Sequence, residues 1–205
     1  MERYLITQSL LSSWAYIFNA YEGYEEDAME SFLSTLRREP SEPTEAMIDG
    51  LEFEAEVYKA ADGSPRKPHK KWESGIMAVA TELTGAQFQV RVRRELQVGD
   101  MEFVCYGVLD ALQAGVISDV KYKQKRFHSL DLAGDYFDSA QHPMYFYLVP
   151  EAYEFQYLVS DGTDLYKEVY RRSECRDIAE IITDFISSIT SLGLLDEYKR
   201  HWLAL

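Results

Sequence analysis

The stretch from Met101 to Tyr122 constrains this chain more than any other. Two β-rich runs, Met101 to Leu112 and Val116 to Tyr122, are apolar on both faces and meet at Ala114-Gly115. Strands of that kind belong to a sheet covered on both sides, which excludes a simple helical bundle. The Ala-Gly pair reads as the turn of a hairpin. Symmetric pairing about it sets Gln113 against Val116, Leu112 against Ile117 and Asp110 against Asp119. Opposed side chains in an antiparallel pair stand about 4.5–5.5 Å apart at Cβ. Lys121 lies two residues past Asp119, on the same face. In this register two carboxylates and one ammonium share a patch; a three-residue loop would scatter them to opposite faces.

Like charges opposed in a sheet are destabilising, and these sit among Val108, Leu112 and Ile117. A divalent cation neutralises such a pair, and Mg2+ suits it by taking oxygen ligands while keeping several waters. An isolated D-x-K is, in most sequences, an ordinary surface ion pair at a strand end. That plain account leaves the opposed Asp110 and the apolar surroundings unexplained. Asp110, Asp119 and Lys121 are therefore the candidate chemical centre. Glu54 offers a third carboxylate from a helix outside the sheet, although an exposed helical Glu is the default. Gln141 and Tyr145 are four apart on a later helix and share a face, as a packing Tyr beside a solvated Gln also would.

Around this segment the pattern alternates between helix and strand. Helical spacing runs from Ile6 to Tyr21, with Thr7 as N-cap, then over Glu25–Arg38, Glu45–Ala60 and Trp72–Leu83. A loop rich in Gly, Pro and basic residues, ADGSPRKPHK, separates the last two. Gln87 to Gln97 alternates as a strand, with Phe88, Val90 and Val92 on one side and Arg91 and Arg93 on the other. A helix over Ser139–Leu148, strands Phe155–Ser160 and Leu165–Tyr170 about Asp161-Gly162, and a helix over Arg176–Leu192 complete the chain. The class is α/β or α+β. A single domain spans 1–205, mostly helical over 1–85 and sheet-based with covering helices over 86–205.

The net charge of −14 opposes binding to a phosphate backbone unless positive charge is concentrated somewhere. It is: Arg66, Lys67, Lys70 and Lys71 form one cluster, Arg91, Arg93 and Arg94 another, and Lys121, Lys123, Lys125 and Arg126 a third. The first lies in the basic loop and is the candidate for contact with DNA phosphates. Cys105 and Cys175 stand far apart and make neither a CxxC site nor a disulfide framework. The four histidines are scattered; His128 and His142 fall near the centre in sequence but read as surface residues. No signal peptide and no membrane span is expected, and the reading is cytosolic.

Taken in order, G-x-x-x-E (Gly50 to Glu54), G-x-x-D (Gly107 to Asp110), D-x-K (Asp119 to Lys121) and Q-x-x-x-Y (Gln141 to Tyr145) resemble the PD-(D/E)XK nuclease superfamily. Within it, the order and intervals resemble the RecB-like and phage-exonuclease branch. The opening Ile6-Thr-Gln-Ser-Leu-Leu-Ser-Ser-Trp14 is similar to the Ser-rich first helix of RecB-like nucleases. The resemblance implies a restriction-endonuclease-like core, a central mixed β-sheet flanked by helices, with a helical N-terminal region. It implies Glu54, Asp110, Asp119 and the main-chain carbonyl of Val120 as ligands of Mg2+ or Mn2+. It gives Lys121 a part in orienting or deprotonating the attacking water or in stabilising developing charge. Gln141 and Tyr145 would position substrate or brace the site.

The activity implied is hydrolysis of a DNA phosphodiester, as an exonuclease in phage or bacterial recombination or repair, in the cytoplasm of a bacterial or phage-infected cell. Two cysteines exclude the four-cysteine iron–sulfur cluster of some relatives, and the Cys-Pro common at the end of the first helix is missing. No helicase motif is present, so processivity would need a homo-oligomer or a recombination protein partner. The alternative is a non-catalytic nucleic-acid- or protein-binding module that keeps the fold, which the −14 charge and 15 tyrosines favour.

Overall fold

A computed structural model describes residues 2–128 and 132–204. In chain order it runs β1 (Arg3–Thr7), α1 (Gln8–Asn19), α2 (Glu25–Leu36), α3 (Glu45–Ala61), α4 (Glu73–Glu82), β2 (Gln87–Val98), β3 (Met101–Gln113) and β4 (Val116–Tyr122). After β4 come α5 (Gln141–Leu148), β5 (Glu154–Ser160), β6 (Leu165–Arg171), α6 (Ile178–Ser191) and α7 (Leu195–His201). The strands form one mixed sheet flanked by helices, a restriction-endonuclease-like α+β core. The mixed sheet and the helical covering were both expected from the sequence.

The hub is β3. One of its edges pairs antiparallel with β2; the other is shared between β1, parallel along Glu102–Tyr106, and β4, antiparallel along Ala111–Gln113. Past that short hairpin, β4 leaves β3 and continues in parallel with β5 through Tyr122, and β6 closes that side. Among the described residues, Gly107–Asp110 therefore has no strand on its second edge. The sheet forks there.

Two apolar clusters cover the sheet. The larger buries α1, α5 and α6 against Phe103, Cys105 and Leu109; the smaller packs Phe53, Val57, Trp72 and Ile76 of the α3–α4 region against Ala111, Val120 and Leu158. Leu109 and Ala111 are two apart yet lie in different clusters, whereas a regular strand keeps such residues on one face. The same switch occurs on β2, where Val90 and Val92 join the larger cluster and Phe88 the smaller. The expectation that Phe88 shares a side with Val90 and Val92 thus fails. The cause is Gln89, which has a φ of +52°. Phe88↔Ala111 and Val90↔Leu109 are paired while Gln89 and Asp110 between them are not. Each strand spends one residue re-aiming itself, so register is kept and faces exchange.

The sequence also missed β1, whose residues Ile6 and Thr7 were assigned to the first helix. Only its pairing with β3 makes Arg3–Thr7 a strand. Thr7 does cap α1, its hydroxyl accepting from the Leu10 amide at 3.3 Å. The C-terminal α7, also unpredicted, clamps β1: the Tyr198 hydroxyl donates to the Leu5 carbonyl at 3.0 Å and the Leu5 amide to the Trp202 carbonyl at 2.6 Å. No single helix among the described residues is long and apolar enough to cross a membrane.

Candidate active site

The fork in the sheet holds the predicted centre. Leu112↔Ile117 and Gln113↔Val116 pair as the turn implied, but the ladder ends at Ala111↔Ser118. Asp110 and Asp119 are the next positions along, and they are not a ladder pair. Instead the Asp110 Oδ2 accepts from the Val120 amide at 2.9 Å, so the carboxylate takes the place of a strand carbonyl. On the same open edge the Val108 carbonyl accepts from the Tyr145 hydroxyl at 2.9 Å. Side chains thus satisfy the main-chain groups that the missing strand leaves bare. Gly107 makes room for this: a Cβ there would stand 2.5 Å from the Tyr145 ring. The glycine and the tyrosine of two separate motifs form one packing contact.

Asp119 is 3% exposed. Its Oδ1 accepts from the Gln141 amide nitrogen, which fixes the carboxylate's orientation from α5. Its Oδ2 lies 2.7 Å from the Lys121 ammonium yet has no well-directed hydrogen bond. The contact is an ion pair off the hydrogen-bond axis. Glu54 enters from α3, accepting from the Tyr58 hydroxyl at 2.5 Å and the Gln89 amide at 2.9 Å. Burial pushes the Glu54 carboxyl up, the Tyr58 hydrogen bond pulls it back, and the Asp119 charge raises it again. Burial, then Asp119 and Glu54, drive Asp110 well above the usual carboxylate range. Burial alone would lower Lys121; the Asp119 carboxylate outweighs it and the ammonium is held protonated.

Three carboxylates thus repel one another around one ammonium. Among the described residues no three acidic, His or Cys side chains close tightly enough to enclose a metal ion. The donor chemistry still fits one. Mg2+ takes one or two carboxylates and fills its remaining positions with water and substrate oxygen, and Asp119 Oδ2 is a buried oxygen without a directed donor. Asp110 and Asp119 would hold such an ion, with Glu54 within electrostatic reach.

The basic loop is placed less simply. Arg66 grips Glu73 through both terminal nitrogens, at 2.9 and 2.7 Å, and braces the loop onto α4. Lys71 lies 3.4 Å from Asp49 and over the Trp72 ring, while Lys67 and Lys70 stand exposed. His142 is 3% exposed, stacked on Tyr170 with ring centroids 4.2 Å apart, so the surface reading of this histidine is corrected. Gln89 and Tyr58, which hold Glu54, were not singled out from sequence. Tyr58 carried a usable signal, one helical turn after Glu54. Gln89 carried none, because alternation reads it as an outward strand residue.

No family model and no curated protein matches this chain. Among solved structures, SSO0001 superposes with a TM-score of 0.52 at 15% identity, over 93% of this chain and 79% of that one. LHK-Exo in complex with dAMP superposes with a TM-score of 0.51 at 13% identity, over 95% and 91%. The likeness is one of fold. At these identities it shows that the whole chain adopts an architecture also found in an exonuclease, and the chemistry rests on the residues themselves.

Proposed function

We propose that this protein is a metal-dependent deoxyribonuclease of the PD-(D/E)XK type that hydrolyses DNA phosphodiesters, acting as an exonuclease in phage or bacterial recombination or repair. The observation that carries the reading is the forked sheet. It brings Glu54, Asp110, Asp119 and Lys121 together from three elements and leaves a buried Asp119 oxygen without a directed donor. The exonuclease fold seen in LHK-Exo is in keeping with it.

A bound Mg2+ or Mn2+ would polarise the phosphate and lower the pKa of the attacking water. The chain's own groups have distinct tasks. Gln141 fixes Asp119 through one oxygen and leaves the other free for a cation. Tyr58 and Gln89 hold Glu54 in one orientation. Lys121, kept protonated by Asp119, cannot take a proton from water in this arrangement; it offers positive charge where a pentavalent phosphate develops negative charge. Of the two tasks foreseen for Lys121, this geometry favours charge stabilisation.

The test is cleavage of end-labelled linear DNA beside a closed circle, in Mg2+, Mn2+ or EDTA, with Asp119→Asn and Lys121→Ala. Metal-dependent loss of the linear substrate, reduced at least a hundredfold in either folded variant, is expected. Cleavage that persists in both variants would falsify the assignment. Cutting of the circle would replace exonuclease with endonuclease, and inactivity with every metal would move the reading to a binding module.

A further inference from the structure

The sheet is covered unevenly. Along β3, Phe103, Cys105, Gly107 and Leu109 are buried, whereas Val104, Tyr106 and Val108 on the opposite face are half-exposed. The α3–α4 cluster reaches that second face only beyond the fork, at Ala111, Val120 and Leu158. Across the half-open part, β2 sets Arg91 beside Val108 and Arg93 beside Tyr106, and β1 sets Thr7 on the other side of Tyr106. Asp110 is the next residue of that face. A strip of sheet thus leads away from the acidic centre, with two exposed guanidiniums along its rim.

In a chain of net charge −14, unpaired cations are informative. Most Lys and Arg among the described residues have a fixed partner, such as Glu95 for Arg3, Glu82 for Lys167 or the Tyr147 carbonyl for Arg94. Apart from Arg171, those with neither an ion pair nor a side-chain hydrogen bond nor an aromatic ring beneath them fall into three pairs. These are Lys67 and Lys70, Arg91 and Arg93, and Lys125 and Arg126. Lys71 and Gln124 both reach Asp49 on α3, at 3.4 and 3.1 Å, which brings the first and third pairs beside the helix that carries Glu54. The second pair lines the open strip. Charge left uncompensated in this protein is gathered where a polyanion would reach the centre.

We infer that this strip is the path of a single nucleic-acid strand running from the acidic centre, with Arg91 and Arg93 each holding a phosphate and Tyr106 lying beneath the chain between them. The inference rests on the phosphodiester reading above and adds where the substrate lies and in what form. Arg91 and Arg93 stand two and four positions from Gln89, opposite Asp110, or about 7 and 13 Å along a strand. That repeat is of the order of the spacing between neighbouring phosphates in an extended chain. The strip is three strands wide, roughly 10 Å between its outer strands at ~4.8 Å per step, which suits one strand rather than a duplex. Beyond Tyr106, a recess of about 160 Å³ lined by Arg3, Arg93 and Arg94 beside Val104 continues the path. Exposed cations beside an aromatic ring are the usual means of holding a single strand without reading its sequence.

The test is fluorescence anisotropy of the full chain with a labelled oligothymidylate of about 20 nucleotides, longer than the ~4–16 that one small fold covers. It is run in EDTA across a salt series, beside a duplex of equal length and a parallel cleavage assay. Arg91→Ala/Arg93→Ala should weaken single-strand binding about tenfold and reduce the slope of log K against log salt by about 1.4, or ~0.7 for each phosphate released. A control of equal charge loss on α7, Lys199→Ala/Arg200→Ala, should leave the slope unchanged, and melting curves confirm that both variants fold. A wild-type protein that cleaves DNA while the Arg91/Arg93 variant keeps the full slope overturns the path and spares the nuclease reading. Equal loss for the duplex overturns the single-strand assignment. If the wild type neither binds nor cleaves, both readings fall together.

Discussion

Gln89 holds a backbone conformation that side-chain-bearing residues avoid, and it holds it opposite Asp110. A left-handed residue other than glycine costs roughly 1–2 kcal/mol, and such strain gathers at functional sites. Here the distortion sends the amide to Glu54 and Tyr58, at 2.9 and 3.1 Å. Gln89→Gly should relieve the strain and leave stability unchanged or raised by up to ~1 kcal/mol, while cleavage falls because Glu54 loses a donor. Denaturant melts and kcat measured together decide it; a loss of stability, or full activity, would show that the conformation serves packing alone. Gly107→Ala is the converse case. The added methyl meets the Tyr145 ring at 2.5 Å, and overpacking of this kind costs about 1–3 kcal/mol. Tyr145→Leu should recover part of that loss, a coupling that a double-mutant cycle reads directly. At this scale Asp110, Asp119 and Lys121 were legible because charge among apolar residues is conspicuous. Gln89 was not, since its importance lies in a dihedral angle that no residue type announces.

Among the elements, α5 joins the site to the larger core. Gln141 at its start orients Asp119, Tyr145 one turn on braces β3, and His142 between them is buried against Tyr170. Burial lowers the His142 pKa from its ordinary 6.5 to about 4. The imidazole is therefore neutral in the folded protein at pH 5, where the unfolded chain binds a proton. Its contribution to stability is complete above pH 6.5 and is lost as pH falls from there to about 4. At about 1.4 kcal/mol per pKa unit the full loss is of the order of 3 kcal/mol. Urea melts between pH 7 and 4 should show a steeper decline for the wild type than for His142→Phe, which keeps the stack on Tyr170; parallel curves would remove histidine from the account. The helix itself was predicted from its sequence, as was the hairpin register near the turn, because both rest on local pattern. The strand β1 and the fork were not. Arg3–Thr7 becomes a strand only by pairing with β3, nearly a hundred positions away in sequence, and β4 leaves β3 only because β5 is there to receive it.

For the molecule as a whole, the acidity that argued against nucleic acid follows from where charge is placed. The surplus of acid is spread over the surface, and its densest buried part, around Asp110, is the place where a divalent ion would be held. Stability should then be linked to metal, since a ligand bound only by the folded state stabilises it by mass action. Without metal, Asp110 stands against Asp119 and Glu54 with one ammonium for compensation. Asp110→Asn removes a repelling charge and keeps an oxygen for the Val120 amide, so in EDTA it should melt higher than the wild type. A gain of about 1 kcal/mol corresponds to ~2–4 °C for a chain of this size. In Mg2+ or Mn2+ the order should reverse, the wild type rising with ion concentration and the variant staying level. A variant that melts lower in EDTA would mean that the carboxylate is a structural acceptor and that repulsion at the fork is slight. A wild type whose melting ignores both ions would leave the acidic centre without the ligand its charge calls for, and would move the catalytic reading onto phosphate contacts alone.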